Sequence, residues 1–155
     1  MDLTTIGIKV GWAVETTAGT RPTTFTQIAR CKKIAGVSLT TDKIDVTALE
    51  DAIKKYAAGL KDTGGDWPLT FGASDAFVTA WNALITAYET AKAAGKQTWF
   101  VVWIPNMAKS FYIIAEPGDI PMPDIDVSNP LEYEISNVIN DFKGLDTAIE
   151  PTVGE

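Results

Sequence analysis

The sequence contains no histidine and a single cysteine, Cys31. Without histidine there can be no Ser-His-Asp triad, no Cys-His pair and no imidazole metal ligand. One cysteine cannot make an intrachain disulfide or a multi-cysteine zinc site. Neither a G-x-x-x-x-G-K-[ST] loop nor a G-x-G-x-x-G fingerprint occurs, and the isolated pair Gly64-Gly65 reads as a turn. Basic charge is also scarce. Thirteen Lys and Arg stand against 20 Asp and Glu, for a net charge of −7 and a pI of about 4.6. A surface that grips phosphates needs the opposite sign, so this chain repels DNA on average. The longest strongly apolar run, Trp99 to Ile104, is far too short to cross a bilayer. The opening residues Met1-Asp2-Leu3-Thr4-Thr5 lack the basic and apolar regions of a signal peptide. The expectation is a protein that folds in a cytoplasm, with no membrane partner and no cofactor.

What is present is the composition of a folded protein. Of 155 residues, 46% are hydrophobic and 21% charged, enough for a single domain over 1–155 with its own core. Residues 6–14 alternate, with Ile6, Ile8, Val10, Trp12 and Val14 on one face of an expected strand. A turn-rich loop over 16–24 follows, then an expected strand from Phe25 to Ile34. After Gly36 comes a third extended run, Val37 to Leu49. Glu50 to Leu60 reads as one or two helical turns and 61–66 as loop, so 53–66 is expected as a second long loop. A strand resumes over Trp67 to Phe71.

One clear helix is expected from about Asp75 to Ala94. Ser74 is its N-cap, Asp75 lies in the first turn, and Lys92 precedes Gly95. Phe77, Trp81, Leu84, Ile85 and Tyr88 form its apolar stripe and so its core face. Gln97 to Ile104 and Lys109 to Glu116 read as a hairpin, and the first of these strands is apolar on both faces, as a doubly covered strand must be. The proline-rich stretch 117–130 is expected to be extended or looped. Leu131 to Ile139 is the last strand, and 147–155 reads as an arm without a core pattern. Many short strands and one amphipathic helix give a mainly β or α+β fold, an antiparallel sandwich or open barrel with the helix on its flank.

The residues that could carry chemistry each have a simpler reading. Asp124 with Asp126, and Glu132 with Glu134, could ligate a divalent metal or act as an acid/base couple, but paired carboxylates on a strand face are usually solvated. Cys31 lies in a strand without a base and reads as a small core residue. The cluster Arg30-Cys31-Lys32-Lys33 has ample carboxylates to pair with. Of the five tryptophans, Trp81, Trp99 and Trp103 sit on core faces. Trp12 and Trp67 adjoin loops, where burial in an interface is the alternative.

Several segments in order resemble the major tail tube protein of long-tailed, siphovirus-type bacteriophages. Val37-Ser38-Leu39-Thr40-Thr41-Asp42-Lys43-Ile44-Asp45-Val46-Thr47 resembles that family's glycine-led strand with a K-I-D-V-T stretch. Tyr56-Ala57-Ala58-Gly59-Leu60-Lys61-Asp62 and Gly65-Asp66-Trp67-Pro68-Leu69-Thr70-Phe71 resemble its Y-x-x-G-L-x-D and G-D-W-x-x-x-F. The helix, the aromatic strand Trp99-Phe100-Val101-Val102 and the K-S-F strand Lys109-Ser110-Phe111 follow in the same order, so the resemblance spans about residues 5 to 140. One segment departs from it: Glu116-Pro117-Gly118-Asp119-Ile120-Pro121-Met122-Pro123 replaces an expected E-A-x-x-x-P-S strand.

The resemblance implies a structural protein and not an enzyme. It implies a β-sandwich whose strands close one large barrel in a hexameric ring, with rings stacked head to tail into a tube that conducts viral DNA without binding it. The implied location is the virion tail, and the implied partners are further copies, a tape measure protein, a tail terminator and tail tip proteins. Two alternatives stay open. One is a related ring former, either a tail terminator or the tube of a contractile injection system. The other is a soluble ligand- or carbohydrate-binding module using the tryptophans. On the tube reading, Trp12, Arg21, Lys54, Lys55, Tyr56, Lys61 and Trp67 are the candidate subunit and ring contacts. Asp45, Glu132 and Glu134 are the candidates for an acidic lumen.

Overall fold

The computed structural model describes residues 6–153. Its elements, in order, are β1 (Lys9–Val14), β2 (Thr26–Gln27), β3 (Cys31–Ile34), β4 (Thr40–Asp45), β5 (Tyr56–Asp62), β6 (Asp66–Gly72), α1 (Asp75–Ala93), β7 (Thr98–Trp103), β8 (Lys109–Glu116) and β9 (Glu132–Thr147). Seven strands form one antiparallel sheet in the order β2-β1-β7-β8-β9-β6-β3, while β4 and β5 pair only with each other.

The sheet has to curl. Its two edge strands, β2 and β3, are joined by three residues, Ile28 to Arg30. Laid flat, six strand spacings of about 4.8 Å would hold those edges roughly 29 Å apart. The link reaches at most about 15 Å. It therefore draws the edges together. The Ile28 amide donates to the Val10 carbonyl at 2.9 Å, and the Gly72 amide to the Arg30 carbonyl at 2.9 Å. Arg30 makes the corner at φ 61°, in the left-handed region. The result is the open-barrel form of the expected sandwich, one rolled sheet. The expected single strand Phe25 to Ile34 is cut at this corner into two strands on opposite edges.

The concave face carries the main core. Val10, Trp67, Leu69, Phe71, Phe100, Ile113, Ile135 and Ile139 meet Phe77, Trp81 and Leu84 of α1 there. The helix begins where Ser74 caps it, its Oγ accepting the Phe77 amide at 3.1 Å. Phe71 stacks on Phe77 at 4.8 Å and lies 5.6 Å from Trp81. The Trp81 indole nitrogen donates to the Gly118 carbonyl at 2.9 Å. The buried side chain of Asn137 accepts the Gly118 amide at 3.0 Å and donates to the Trp67 carbonyl at 3.0 Å. These bonds clamp the start of the proline-rich segment onto the sheet and leave no polar group of the clamp unpaired. Gly118 must be glycine, because a Cβ there would sit 2.1 Å from the Ser136 carbonyl oxygen.

The convex face has a second core of Phe25, Trp99, Val101, Tyr112 and Ile114, with Ile149 packed on it. β7 is thus covered on both sides, Trp99 and Val101 outward and Phe100 and Val102 inward. Two segments that read as loop and free arm supply this cover. Glu15, 2% exposed, accepts amides from Gly19 at 3.0 Å and Gln97 at 2.7 Å and the Trp99 indole N–H at 3.1 Å. The described part of the arm folds back: the Gln27 amide donates to the Thr152 carbonyl at 2.7 Å, and Pro151 presses on Gly11. Residues 154 and 155 of that arm, and 1 to 5 of the amino terminus, lie outside the described residues.

Other element boundaries also differ from the sequence reading, beginning with the first strand, which starts at Lys9 and not at Ile6. Glu50 to Leu60 is not helical, and 61–66 is not simply loop: Tyr56–Asp62 is a strand paired with Thr40–Asp45. The extended run Val37 to Leu49 contains only the six residues of β4. The last strand continues past Ile139 to Thr147, bent by register shifts opposite Ile113 and Ala115 and by Gly144 at φ 73°.

Candidate functional site

The most unusual surface belongs to the β4–β5 hairpin. Every residue of β4 is exposed, as is every residue of β5 except Gly59. Water-soluble ribbons of this kind are normally polar. This one and its connection carry Leu39, Ile44, Val46, Leu49, Ile53, Tyr56 and Leu60, with Leu49 fully exposed, Ile53 at 78% and Leu60 at 84%. Isolated two-stranded hairpins are marginal in water, and exposed apolar area of more than a few hundred Å² marks an interaction surface. Among the described residues both strands also lack a partner on their outer edges, which leaves backbone donors and acceptors open to strand addition.

The tip is ordered by its own polar groups. Asp45 accepts the Thr47 amide at 2.9 Å and Asp51 the Ala48 amide at 2.8 Å. The Lys55 ammonium pairs with Asp51 at 2.8 Å, and the Thr47 hydroxyl accepts the Lys55 amide at 2.8 Å. Thr47 holds the Asp45 carboxyl below its usual value of 3.8, and Lys55 and then Ala48 do the same for Asp51. Depressed carboxyl groups contribute to order above their unfolded pKa, and the contribution is lost as pH falls through the folded value. The tip is therefore expected to loosen as the pH falls below the usual carboxyl value of 3.8, while the barrel stays closed. Amide exchange of Thr47 and Ala48, followed by NMR against that of Val101, is the measurement. Equal acid sensitivity of all three amides would show that the tip has no separate acid response.

The residues expected at contacts fall into three groups. Lys54, Lys55, Tyr56 and Lys61 do lie together on the exposed hairpin, with the Lys43 ammonium 5.9 Å from the Tyr56 ring centroid. Trp12 is half-buried against the main core, in a groove beside α1. Arg21 is engaged within the chain: it pairs with Asp146 at 2.6 Å and lies over the Tyr112 ring at 4.8 Å. Trp67 is a correction. It is 0% exposed, packs edge-on against Phe100 at 5.5 Å, and donates its indole N–H to the Ala35 carbonyl at 2.9 Å, so it is core and not a surface anchor. Sequence reasoning did not single out Leu39, Ile44, Val46, Leu49, Ile53 and Leu60, which the fold leaves exposed. Their apolar character was visible, but nothing local distinguishes an apolar strand that is buried in its own chain from one that is not.

The three carboxylates proposed for a lumen also separate. Asp45 is exposed but caps the tip, Glu132 pairs with Lys32 at 3.1 Å, and Glu134 is exposed and in no ion pair among the described residues. Asp124, Glu132 and Glu134 border one open groove with Pro121, Pro123 and Pro130. Among the described residues no group of three or more Cys, Asp or Glu side chains is placed to hold a metal ion. Burial pushes the Cys31 thiol up to about 11, so it is protonated and unreactive at neutral pH. At the base of the hairpin, Ile34, Ala35, Gly36, Trp67, Val102 and Phe111 border an apolar cavity of about 320 Å³.

No protein-family model and no curated protein sequence matches the chain. Its fold is similar to that of a chain in the 6-fold symmetrised cryo-EM structure of the anti-feeding prophage baseplate, with a TM-score of 0.57 at 14% identity over 92% of this chain and 96% of that one. It is also similar to a chain in the tail of the empty GTA particle, obtained by helical refinement with C6 symmetry, with a TM-score of 0.55 at 16% identity and the same coverage. At these identities the likeness is one of fold: a rolled, mostly antiparallel sheet with one helix.

Proposed function

We propose that this chain is a structural tail protein that assembles into hexameric rings, and that the rings stack into a tube through which viral DNA passes. The observation that carries the reading is the hairpin, with two unpaired strand edges and exposed apolar residues along its length. Neighbouring copies supply what it lacks. Strand pairing between adjacent hairpins satisfies the open edges, and six-fold closure removes the last edge, as barrels do. The contacts are heterologous, so they close into rings or run on as filaments. The similar folds from six-fold particles, one a tail and one a baseplate, support the same arrangement. A place in the virion tail, with tape measure, terminator and tip proteins as neighbours, belongs to this reading. The baseplate likeness favours one second reading, a ring component of a contractile injection apparatus.

The test is negative-stain microscopy of the concentrated pure protein together with light scattering. Rings or tubes are expected. A strict monomer at every concentration, with particle assembly unaffected by deletion of the protein, sinks the proposal.

An acidic wall follows from the same reading. The net charge of −7 per copy, repeated around each ring, keeps phosphates off the wall within a Debye length of ~8 Å. Glu134 is the best lumen candidate, since Glu132 and Asp45 are engaged within the chain. Glu134→Lys is expected to leave tubes intact and to slow DNA ejection at low salt, with recovery at high salt. Unchanged ejection at low salt removes Glu134 from the channel wall.

A further inference from the structure

Strand β9 has an edge that its own sheet does not pair. From Glu132 to Val138 it is paired with β6. On its other side β8 ends at Glu116, opposite Val138, so Glu132 to Asn137 have no strand there. The Ser136 carbonyl oxygen faces that side, since a Cβ on Gly118 would run into it. In an antiparallel strand the N–H and C=O of one residue point the same way, and the direction alternates from residue to residue. Glu134 therefore presents its backbone groups on that side too. What lies beside them is the proline-rich segment. Among the described residues it makes no backbone hydrogen bond to Glu132–Ser136. Pro117, Pro121 and Pro123 have no N–H to give. Gly118, which touches the strand, turns both of its groups to side chains, its N–H to Asn137 at 3.0 Å and its carbonyl to Trp81 at 2.9 Å.

We infer that residues 117–123 guard this edge: they keep the β9 strands of two copies of this chain from pairing with each other. An antiparallel edge is self-complementary about a two-fold axis, so two bare copies of Glu132–Ser136 would close an isologous contact. Proline, charge and a covering loop are the features that prevent such edge-to-edge pairing, and this edge has all three. The prolines continue no ladder. Glu132 and Glu134 would meet like charges across the two-fold. The clamp at Gly118 holds the segment in its place: Asn137 is fully buried with both ends of its amide engaged, and Ile120 packs on the main core. The inference does not rest on the tail reading and holds equally for a lone chain. Among the described residues the outer edges of β4 and β5 carry no such cover, so the guard separates an edge that can pair from one that cannot.

Two measurements test this. In the unmodified chain at low concentration, amide hydrogen exchange followed by NMR is expected to be faster at Glu134 and Ser136 than at Tyr133 and Ile135, which face β6. Equal protection of these amides means that the segment pairs with β9, and it overturns the inference. The second measurement removes the guard. Residues 121–129 are exposed apart from Pro123, so a Gly-Ser linker of the same length in their place leaves the core untouched. Gly118→Ala lifts the other end of the segment from Ser136. Each change is made in a chain that carries Cys31→Ala and Glu134→Cys, which is then oxidised with copper phenanthroline. Across a two-fold centred near position 134 the two Cα atoms stand about 5 Å apart, within disulfide reach. A covalent dimer is expected from either change, and none from the chain whose segment is intact. If Gly118→Ala does not fold, the linker variant still decides. Equal dimer with the segment intact shows an edge that was never guarded, and no dimer after the segment is replaced shows an edge that does not pair when uncovered. Either result overturns the inference and leaves the assembly reading standing.

Discussion

Replacing Leu39–Thr63 with a short Gly-Ser linker is expected to abolish assembly entirely while leaving a folded, stable monomer. The two halves of that expectation have separate causes. The hairpin residues are exposed nearly throughout and pair only with each other, so their removal takes nothing from either core. Thr40 and Asp62 stand opposite each other at the base, so a few flexible residues bridge the gap without moving β3 or β6. Loop closure over that distance costs little more than the native connection. Assembly, by contrast, loses both its open strand edges and its exposed apolar surface at once. Circular dichroism, thermal unfolding and light scattering together decide the matter. A shortened protein that still builds tubes shows that the hairpin makes no essential contact. One that fails to fold shows that the hairpin is part of the core, contrary to its exposure.

Trp81→Ala is expected to destabilise the fold by about 3–5 kcal/mol, the usual range for removing a buried aromatic side chain. Trp81 is 1% exposed and meets Phe71 and Phe77 at 5.6 and 5.9 Å. It also carries one of the bonds that hold the proline-rich segment, through the Gly118 carbonyl. Its loss leaves a cavity between α1 and the concave face and frees a carbonyl that the indole satisfied. Chemical denaturation is the measurement, and a loss below about 1 kcal/mol would mean that α1 packs loosely enough to collapse into the space. The comparison with Trp67→Phe is informative. Trp67 binds the Ala35 carbonyl next to the hairpin-base cavity, so that variant is expected to loosen the chain where it leaves β3 as well as the core.

The sequence by itself determined the elements whose signals are local. Ser74, the stripe of Phe77, Trp81 and Leu84, and Gly95 place α1 within a residue of its observed ends, because capping and helical period act within a few residues. The two-sided apolar run at Trp99 to Val102 marked a strand covered on both faces, because one residue cannot hide both sides of a sheet. The absence of histidine excluded imidazole chemistry outright.

The tertiary structure decided what depends on partners far away in the chain. Tyr56–Asp62 became a strand because Thr40–Asp45 lies beside it, and that pairing outweighed the helical turns expected over Glu50 to Leu60. Trp67 went into the core because Ala35 and Phe100 meet it there, while its position next to Gly64-Gly65 suggested a surface. Glu15 and the returning arm at Thr152 were invisible as cover for the convex face, since their contacts span 82 and 127 positions. The apolar residues of the hairpin look in sequence like those of any half-buried strand. Only the folded barrel, whose core is closed without them, leaves them exposed on a separate two-stranded sheet.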